Sequence, residues 1–423
     1  MSRGLRHSRK LRAAAVAVAA ASLAVGGVLA AASPGQAAGS ALTSNWYASA
    51  PYLFVDGSQP NPTTVMAASG QKAFEIAFIL APSGGGCSPT WNGTDPISSD
   101  TTVGPVINEI RAAGGDVSVS VGGYGGTKLG QNCGSAAATA AAYQQVVTQY
   151  GLHAMDFDLE EPEYENSSAI ANELGAAQIL QQNNPGMYIS VTMPGTAAGT
   201  GWFGTQLLDE AKTLGFTPNN YSIMPFDGGF SGSAAQISAL EAFHSLLVST
   251  FGWDSATAYA HEGVSMMNGR TDSAEYFYQS DFANVLSYAT SHGLGRYTFW
   301  DVNRDQQCNP PNNNGVLSGS CSSVTQNAWD FTKYTTQFAG ATPPTTTPTT
   351  ASASASATAS ASASASASST GGSGSCAAAW SSSTAYLGGA VVSYNGHNWT
   401  AKWWTEADVP GGSAGVWTDD GAC

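Results

Sequence analysis

The stretch His153-Ala154-Met155-Asp156-Phe157-Asp158-Leu159-Glu160 alternates acidic and apolar residues. A period of two is the mark of a β-strand with one polar and one apolar face. Asp156, Asp158 and Glu160 therefore share one side, and Met155, Phe157 and Leu159 the other. Working outward, seven more short runs rich in Val, Ile, Phe and Tyr occupy 52–55, 73–80, 116–121, 188–193, 221–226, 263–267 and 297–302. Polar or glycine-rich residues and then helical stretches, such as 280–291, separate them. Eight strands alternating with helices between Trp46 and Phe338 suit a closed (β/α)8 barrel, the TIM-barrel form of the α/β class. An open doubly wound sheet is disfavoured, because no glycine-rich dinucleotide fingerprint follows the first strand. Catalytic groups of such barrels sit at the C-terminal ends of the strands, which is where the three carboxylates lie.

Three carboxylates on one face cannot all ionise cheaply, so at least one proton is expected to persist at neutral pH. Glu160, farthest toward the rim, is the expected holder, and a retained proton is what a general acid needs. A solvated acidic edge and a metal cage are the alternatives; the apolar flanks argue against the first.

Arg3, Arg6, Arg9, Lys10 and Arg12 precede a small apolar run at 13–32 and the small residues Gly35-Gln36-Ala37-Ala38. Residues 1–38 read as a secretory signal peptide, with cleavage favoured over a membrane anchor because the run is alanine-rich and weakly hydrophobic. Its removal takes five of the 14 Lys and Arg and none of the 29 Asp and Glu, moving the formal charge from −15 to about −20. Such a chain repels nucleic acid and anionic membranes, so neither is an expected partner, whereas a neutral polymer is compatible. Six cysteines in an exported chain suggest three disulfides, and proximity pairs Cys87 with Cys133, Cys308 with Cys321 and Cys376 with Cys423. A cysteine zinc site is disfavoured, since no Cys-x-x-Cys occurs.

Composition breaks after Gly340: 342–350 is threonine and proline, and 351–375 is nearly all Ala, Ser, Thr and Gly. No core can form there. Residues 341–375 thus read as a spacer of about 30 to 100 Å reach, separating a large domain at 39–340 from a small one at 376–423.

Asp-Phe-Asp-Leu-Glu on a fourth strand resembles the Asp-x-Asp-x-Glu signature of glycoside hydrolase family 18 chitinases. Ser120-Val121-Gly122-Gly123 resembles the Ser-x-Gly-Gly ending of that family's third strand. Phe299-Trp300-Asp301-Val302-Asn303-Arg304-Asp305 resembles its eighth, whose Trp floors the sugar site. The likeness runs from about Trp46 to Asp305 and is strongest to the bacterial and archaeal branch. It implies that Glu160 protonates the glycosidic oxygen while Asp158 orients the substrate's 2-acetamido group, whose carbonyl oxygen attacks the anomeric carbon. Asp156 would alternately share a proton with Asp158. The nucleophile is then part of the substrate, an exception to the two-carboxylate rule, and substrates are restricted to N-acetylated sugars. The resemblance also assigns substrate contacts to Asp227, Met224 and Trp300, and implies a monomer needing no metal and no organic cofactor.

Three positions depart from the family pattern. His153 stands where Asp is usual and reads as a structural imidazole. Phe226 precedes Asp227 where a tyrosine often helps hold the acetamido oxygen, and Met193-Pro194-Gly195 is not the usual fifth-strand ending. Losing that hydroxyl would cost a few kcal/mol of transition-state stabilisation unless Tyr221, Tyr259 or another ring replaces it. Only about thirty residues separate the seventh and eighth strands, too few for an inserted domain that would deepen the cleft. An open groove that admits cuts within a chain is expected.

Residues 376–423 hold five of the 11 Trp, at 380, 399, 403, 404 and 417, besides Tyr386 and Tyr394. So small a domain cannot bury them all, and exposed rings suit the apolar faces of pyranose sugars. The run through Ala401-Lys402-Trp403-Trp404-Thr405 to Trp417 resembles the short all-β chitin-binding modules of the family 5/12 type. Two or three of the five indoles are expected in the core, with Trp403, Trp404 and Tyr386 as the binding platform. The expected partners are insoluble chitin and N-acetylglucosamine oligomers. The alternatives are an endo-β-N-acetylglucosaminidase acting on glycans, which the module disfavours, and a non-catalytic chitin-binding lectin, which the presence of Glu160 disfavours.

Overall fold

The computed structural model describes residues 41–309, 316–341, 376–382, 385–386, 390–401, 405–406, 408–412 and 416–423. The expected leader 1–38, spacer residues 342–375 and Trp403 and Trp404 lie outside them.

Eight parallel strands form the barrel of the large domain: β1 (Tyr52–Phe54), β2 (Ala73–Leu80), β3 (Asp116–Gly122), β4 (Ala154–Asp158), β5 (Tyr188–Thr196), β6 (Asn220–Met224), β7 (Glu262–Met267) and β8 (Arg296–Trp300). Each pairs in parallel with the next, from β1 through to β8. The helices between and after them are α1 (Pro62–Ser69), α2 (Val103–Ala112), α3 (Ala136–Tyr150), α4 (Ser167–Asn183), α5 (Trp202–Leu214), α6 (Gly232–Phe251), α7 (Gln279–His292) and α8 (Thr332–Gly340). The sheet curls until β8 meets β1, where single bonds replace a ladder. The Tyr297 N–H donates to the Ala48 carbonyl at 3.0 Å. The Asn303 side chain then takes both backbone groups of Phe54, accepting from its N–H at 3.1 Å and donating to its carbonyl at 2.8 Å. One amide side chain thus stands in for a missing strand residue.

The strands lie where the apolar runs placed them to within a residue, except that β5 runs three residues longer, to Thr196, and β6 stops at Met224 and β8 at Trp300, each two residues early. Beyond those points the chain turns into the loops that carry Asp227 and Asp301. Outward-facing strand residues pack under the helices: Phe157 meets the edge of Tyr143 on α3, ring centroids 5.5 Å apart. Burying a side chain of that size contributes about 1.5–3 kcal/mol. Helix starts are set by polar caps. The Ser135 hydroxyl accepts the Ala138 N–H before α3, and Asn166 accepts those of Ser168 and Ala169 before α4, each cap contributing about 1 kcal/mol.

The barrel interior departs from the usual filling of branched apolar residues. Tyr52, Glu75, Ser120, Asp156, Ser190, Thr192, Ser222, Thr298 and Arg296 are buried there and joined largely by hydrogen bonds to one another. Three disulfides form between the neighbours proximity suggested, Cys87–Cys133, Cys308–Cys321 and Cys376–Cys423. No described helix is long and apolar enough to cross a membrane.

The small C-terminal unit is all β. Strands β10 (Val391–Tyr394), β11 (His397–Ala401) and β13 (Trp417–Ala422) form an antiparallel sheet, and β9 (Ala385–Tyr386) pairs with β12 (Thr405–Glu406). Val392, Ala401, Val416 and Trp417 are its buried centre, with Trp380, Tyr386 and Trp399 packed against them.

Candidate active site

Strand β4 delivers the acidic face inward, with burial graded along it. Asp156 is 0 % exposed and Asp158 2 %, while Glu160, two residues past the strand, keeps one side open at the rim. Asp156 therefore lies inside the barrel and not at its mouth. Five donors converge on its carboxylate. Ser190, Thr192 and Arg296 reach Oδ1 at 2.6, 2.8 and 3.0 Å, and Tyr52 and Ser120 reach Oδ2 at 2.9 Å each. The Arg296 guanidinium also donates to Thr192 at 2.6 Å and to Glu75 on β2. A buried cation thus bridges two buried carboxylates, the arrangement that makes such charges tolerable.

Asp158 differs. Its Oδ1 is buried with no partner, and no hydrogen bond joins it to Asp156. Burial, then the charges of Glu160 and Asp156, push its carboxyl well above the usual range. Burial likewise lifts Glu160 to about 7; the Lys128 ammonium holds it down, while Glu161, Asp227 and Asp272 hold it up. A carboxyl poised near 7 can carry the proton that acid catalysis requires. Lys128 is itself buried and donates to the Gly123 carbonyl. Behind it Glu173 accepts the Gly130 N–H at 2.6 Å and the Tyr143 hydroxyl at 2.8 Å. Neither Glu75, Lys128, Glu173 nor Arg296 drew notice in the sequence. Charged residues set within or beside apolar runs were the available signal.

The glycines of Ser120-Val121-Gly122-Gly123 have a steric reason. Both adopt positive φ, 95° and 77°. A Cβ on Gly122 would strike the Asp158 carbonyl oxygen, and one on Gly123 would come within 2.8 Å of the Phe78 ring. The close approach lets the Gly123 N–H donate to Asp158 O at 2.8 Å and the Gly125 N–H to Glu161 O at 2.9 Å. Between them Tyr124 stands 83 % exposed. Trp300 stacks on Phe78 at 5.5 Å and 16°, with Tyr52 and Phe54 at its edges. Met224 ends β6 and is paired to Pro194 on β5, buried on the same side as Ser222.

Asp227 lies three residues beyond β6, in a left-handed conformation at φ 55°. Its Oδ1 accepts the Ser273 N–H at 2.6 Å, from the small hairpin that pairs Gly269–Arg270 with Tyr276–Phe277 after β7. Neither tyrosine considered as a replacement for the missing hydroxyl is near. Tyr221 points outward, donating to the Phe216 carbonyl at 3.0 Å and stacking on Phe251. Tyr259 stacks on His244 in the short helix Ser255–Ala260 that precedes β7, at the other end of the barrel. His153 also lies at that end, its Nδ1 3.0 Å from Asp116 Oδ2, where Arg111 and Tyr47 also bond. Among the described residues, no group of three His, Cys, Asp or Glu is placed to hold a metal ion.

Against solved structures, the chain superimposes on the catalytic domain of a hyperthermophilic chitinase from Pyrococcus furiosus with a TM-score of 0.62. That match covers 69% of this chain and 94% of the other at 23% identity. The barrel has the chitinase catalytic-domain fold. Two curated proteins are similar over part of their length: a probable bifunctional chitinase/lysozyme of Escherichia coli and endochitinase 11 of Metarhizium anisopliae, each 28% identical. The aligned regions cover 55% and 47% of this chain, and 28% and 42% of those proteins, so the chain spans less than half the length of either. Residues 379–418 match the model of carbohydrate-binding module family 5/12.

Within that module Trp417 is buried and donates its indole N–H to the Asp408 carbonyl at 2.8 Å, while Trp399 donates to Tyr394 at 3.0 Å. With Trp380, three of the five indoles serve the core. Tyr386 is half-buried, meets Trp417 edge-on and accepts the Ser381 N–H at 2.7 Å. Pairing sets it opposite Thr405.

Proposed function

We propose that this protein is a secreted, retaining chitinase that cleaves β-1,4 bonds between N-acetylglucosamine units with the help of the substrate's own acetamido group. One observation carries the reading: Glu160 stands at the barrel mouth with its carboxyl poised at about 7, directly above a buried Asp158 and a hydrogen-bonded Asp156. Proton donation to the leaving oxygen falls to Glu160. Asp158, its carboxyl raised by burial, has an oxygen free to meet an amide N–H, and Trp300 offers a ring face to the sugar. The named activities of the similar proteins and the 5/12 module support chitin as the polymer. Export is supported by the basic-then-apolar leader and by three disulfides. Endo action is supported by the short β7–β8 connection, which holds only the small hairpin and α7.

The test compares polymers. Reducing-sugar release from colloidal chitin should exceed that from fully deacetylated chitosan by at least about a hundredfold, since removing the acetamido oxygen removes the nucleophile. Equal release from both would discard the mechanism. For the module, Trp403→Ala should lower retention on insoluble chitin severalfold, while turnover of soluble oligomers stays within about twofold, because tethering acts through local concentration alone. Matched losses on both substrates would make Trp403 structural.

A further inference from the structure

Glu275, in the hairpin after β7, has an unusual set of partners. Its carboxylate accepts three backbone N–H groups from the loop after β6: Asp227 at 2.7 Å, Gly229 at 2.6 Å and Phe230 at 2.6 Å. The bond is returned by the same residue, since Asp227 Oδ1 accepts the Ser273 N–H from the hairpin tip at 2.6 Å. A second tie runs one turn farther on, where Asp281 at the start of α7 accepts the N–H groups of Ser233 and Tyr278, each at 2.9 Å. The loop after β6 and the hairpin after β7 are therefore one clamped unit. Asp227 is held within it at a positive φ that a non-glycine residue adopts only when its surroundings require it.

We propose that Glu275 is a positioning residue for the reaction, fixing Asp227 against Glu160 and setting the hairpin that brings Asp272 to the same place. The inference rests on the chitinase reading above. Both aspartates act on the acid: the charged groups that face Glu160 are Asp158 from β4, Glu161 from the turn after it, Lys128 from the segment after β3, Asp227 from the loop after β6 and Asp272 from the hairpin. Only the last two depend on the clamp. Their negative charge favours the protonated acid, so loosening them lowers the pH at which the proton is lost.

Glu275→Gln keeps size but sets an amide N–H₂ among three N–H donors that need an acceptor. In assays on soluble N-acetylglucosamine oligomers, kcat should fall about tenfold to a hundredfold with a smaller change in KM, as expected for misplacement near 1 Å. The basic limb of the pH profile should move to lower pH. The double variant Glu275→Gln/Asp227→Asn should lose much less than the product of the two single losses, because Glu275 acts largely through Asp227. Additive losses, or an unmoved basic limb, would overturn the proposal. Should Glu275→Gln fail to fold, Ser273→Pro removes the single N–H given to Asp227 Oδ1 from an exposed hairpin tip, and the same shift of the basic limb is expected. An unmoved limb there counts equally against the proposal. Inactivity of the wild type on the same oligomers would instead remove the chitinase reading itself.

Discussion

Glu160→Gln should lower hydrolysis of colloidal chitin by about a thousandfold and leave the folded structure intact. The expected size follows from the role: loss of a positioned general acid costs roughly 10² to 10⁴ in rate, and glutamine has the shape of the acid with no proton to give. Stability should change little, because Glu160 lies at the rim with one side open and makes none of the bonds that hold the barrel interior. The wild type should carry a pH signature that the variant lacks. Burial raises the carboxyl to about 7, so the active, protonated form predominates below that pH and is lost as pH rises through it. Activity should accordingly fall on the alkaline side with a midpoint near 7. Measured reducing-sugar release across pH 5 to 9 checks both points, and equal rates for the two proteins would remove Glu160 from the acid's role.

The second large effect is on stability. Arg296→Met should destabilise the barrel by about 3–5 kcal/mol, the cost of taking one member from a buried charge cluster and leaving the others unpaired. Arg296 and Asp156 are both 0 % exposed, so solvent does not screen the loss. The deficit should also widen with pH. Burial already raises the Glu75 carboxyl well above the usual range, and the arginine is the chief influence holding it down. Without that cation its folded pKa rises further, and folding then binds a proton that the unfolded chain has released. Such stability is present at acid pH and declines as pH climbs past the ordinary carboxylate range. Urea denaturation at pH 4.5 and 7.5 measures it; a smaller loss at the higher pH would contradict the assignment of Arg296 as counterion.

The architecture was legible because parallel barrel strands are buried on both faces and write themselves as short apolar runs. Strand β4 was the clearest, since Met155, Phe157 and Leu159 must meet helices while the aspartates between them must not. The interior was less legible. Arg296 sits one residue before the apolar run that marked β8, and its partners Glu75 and Asp156 lie 221 and 140 residues away in sequence. No local pattern announces a bond over that span. The error over Tyr221 was avoidable in principle, because Ser222 and Met224 alternate inward and Tyr221 must then face out. Asp227 was found as a residue but not as a geometry: its orientation depends on Glu275 and Ser273, which belong to a different loop. The clamp has no sequence signature beyond a lone acidic residue in a turn.

The side chains that meet on Asp156 come from β1, β3, β5 and β8, so its surroundings exist only when the first and last strands have joined at the seam bridged by Asn303. A partly assembled chain can hold every catalytic residue and still leave Asp156 without the donors that satisfy its buried carboxylate. Enzymatic turnover thereby serves as a gauge of complete ring closure, silent in any intermediate whose ends remain apart.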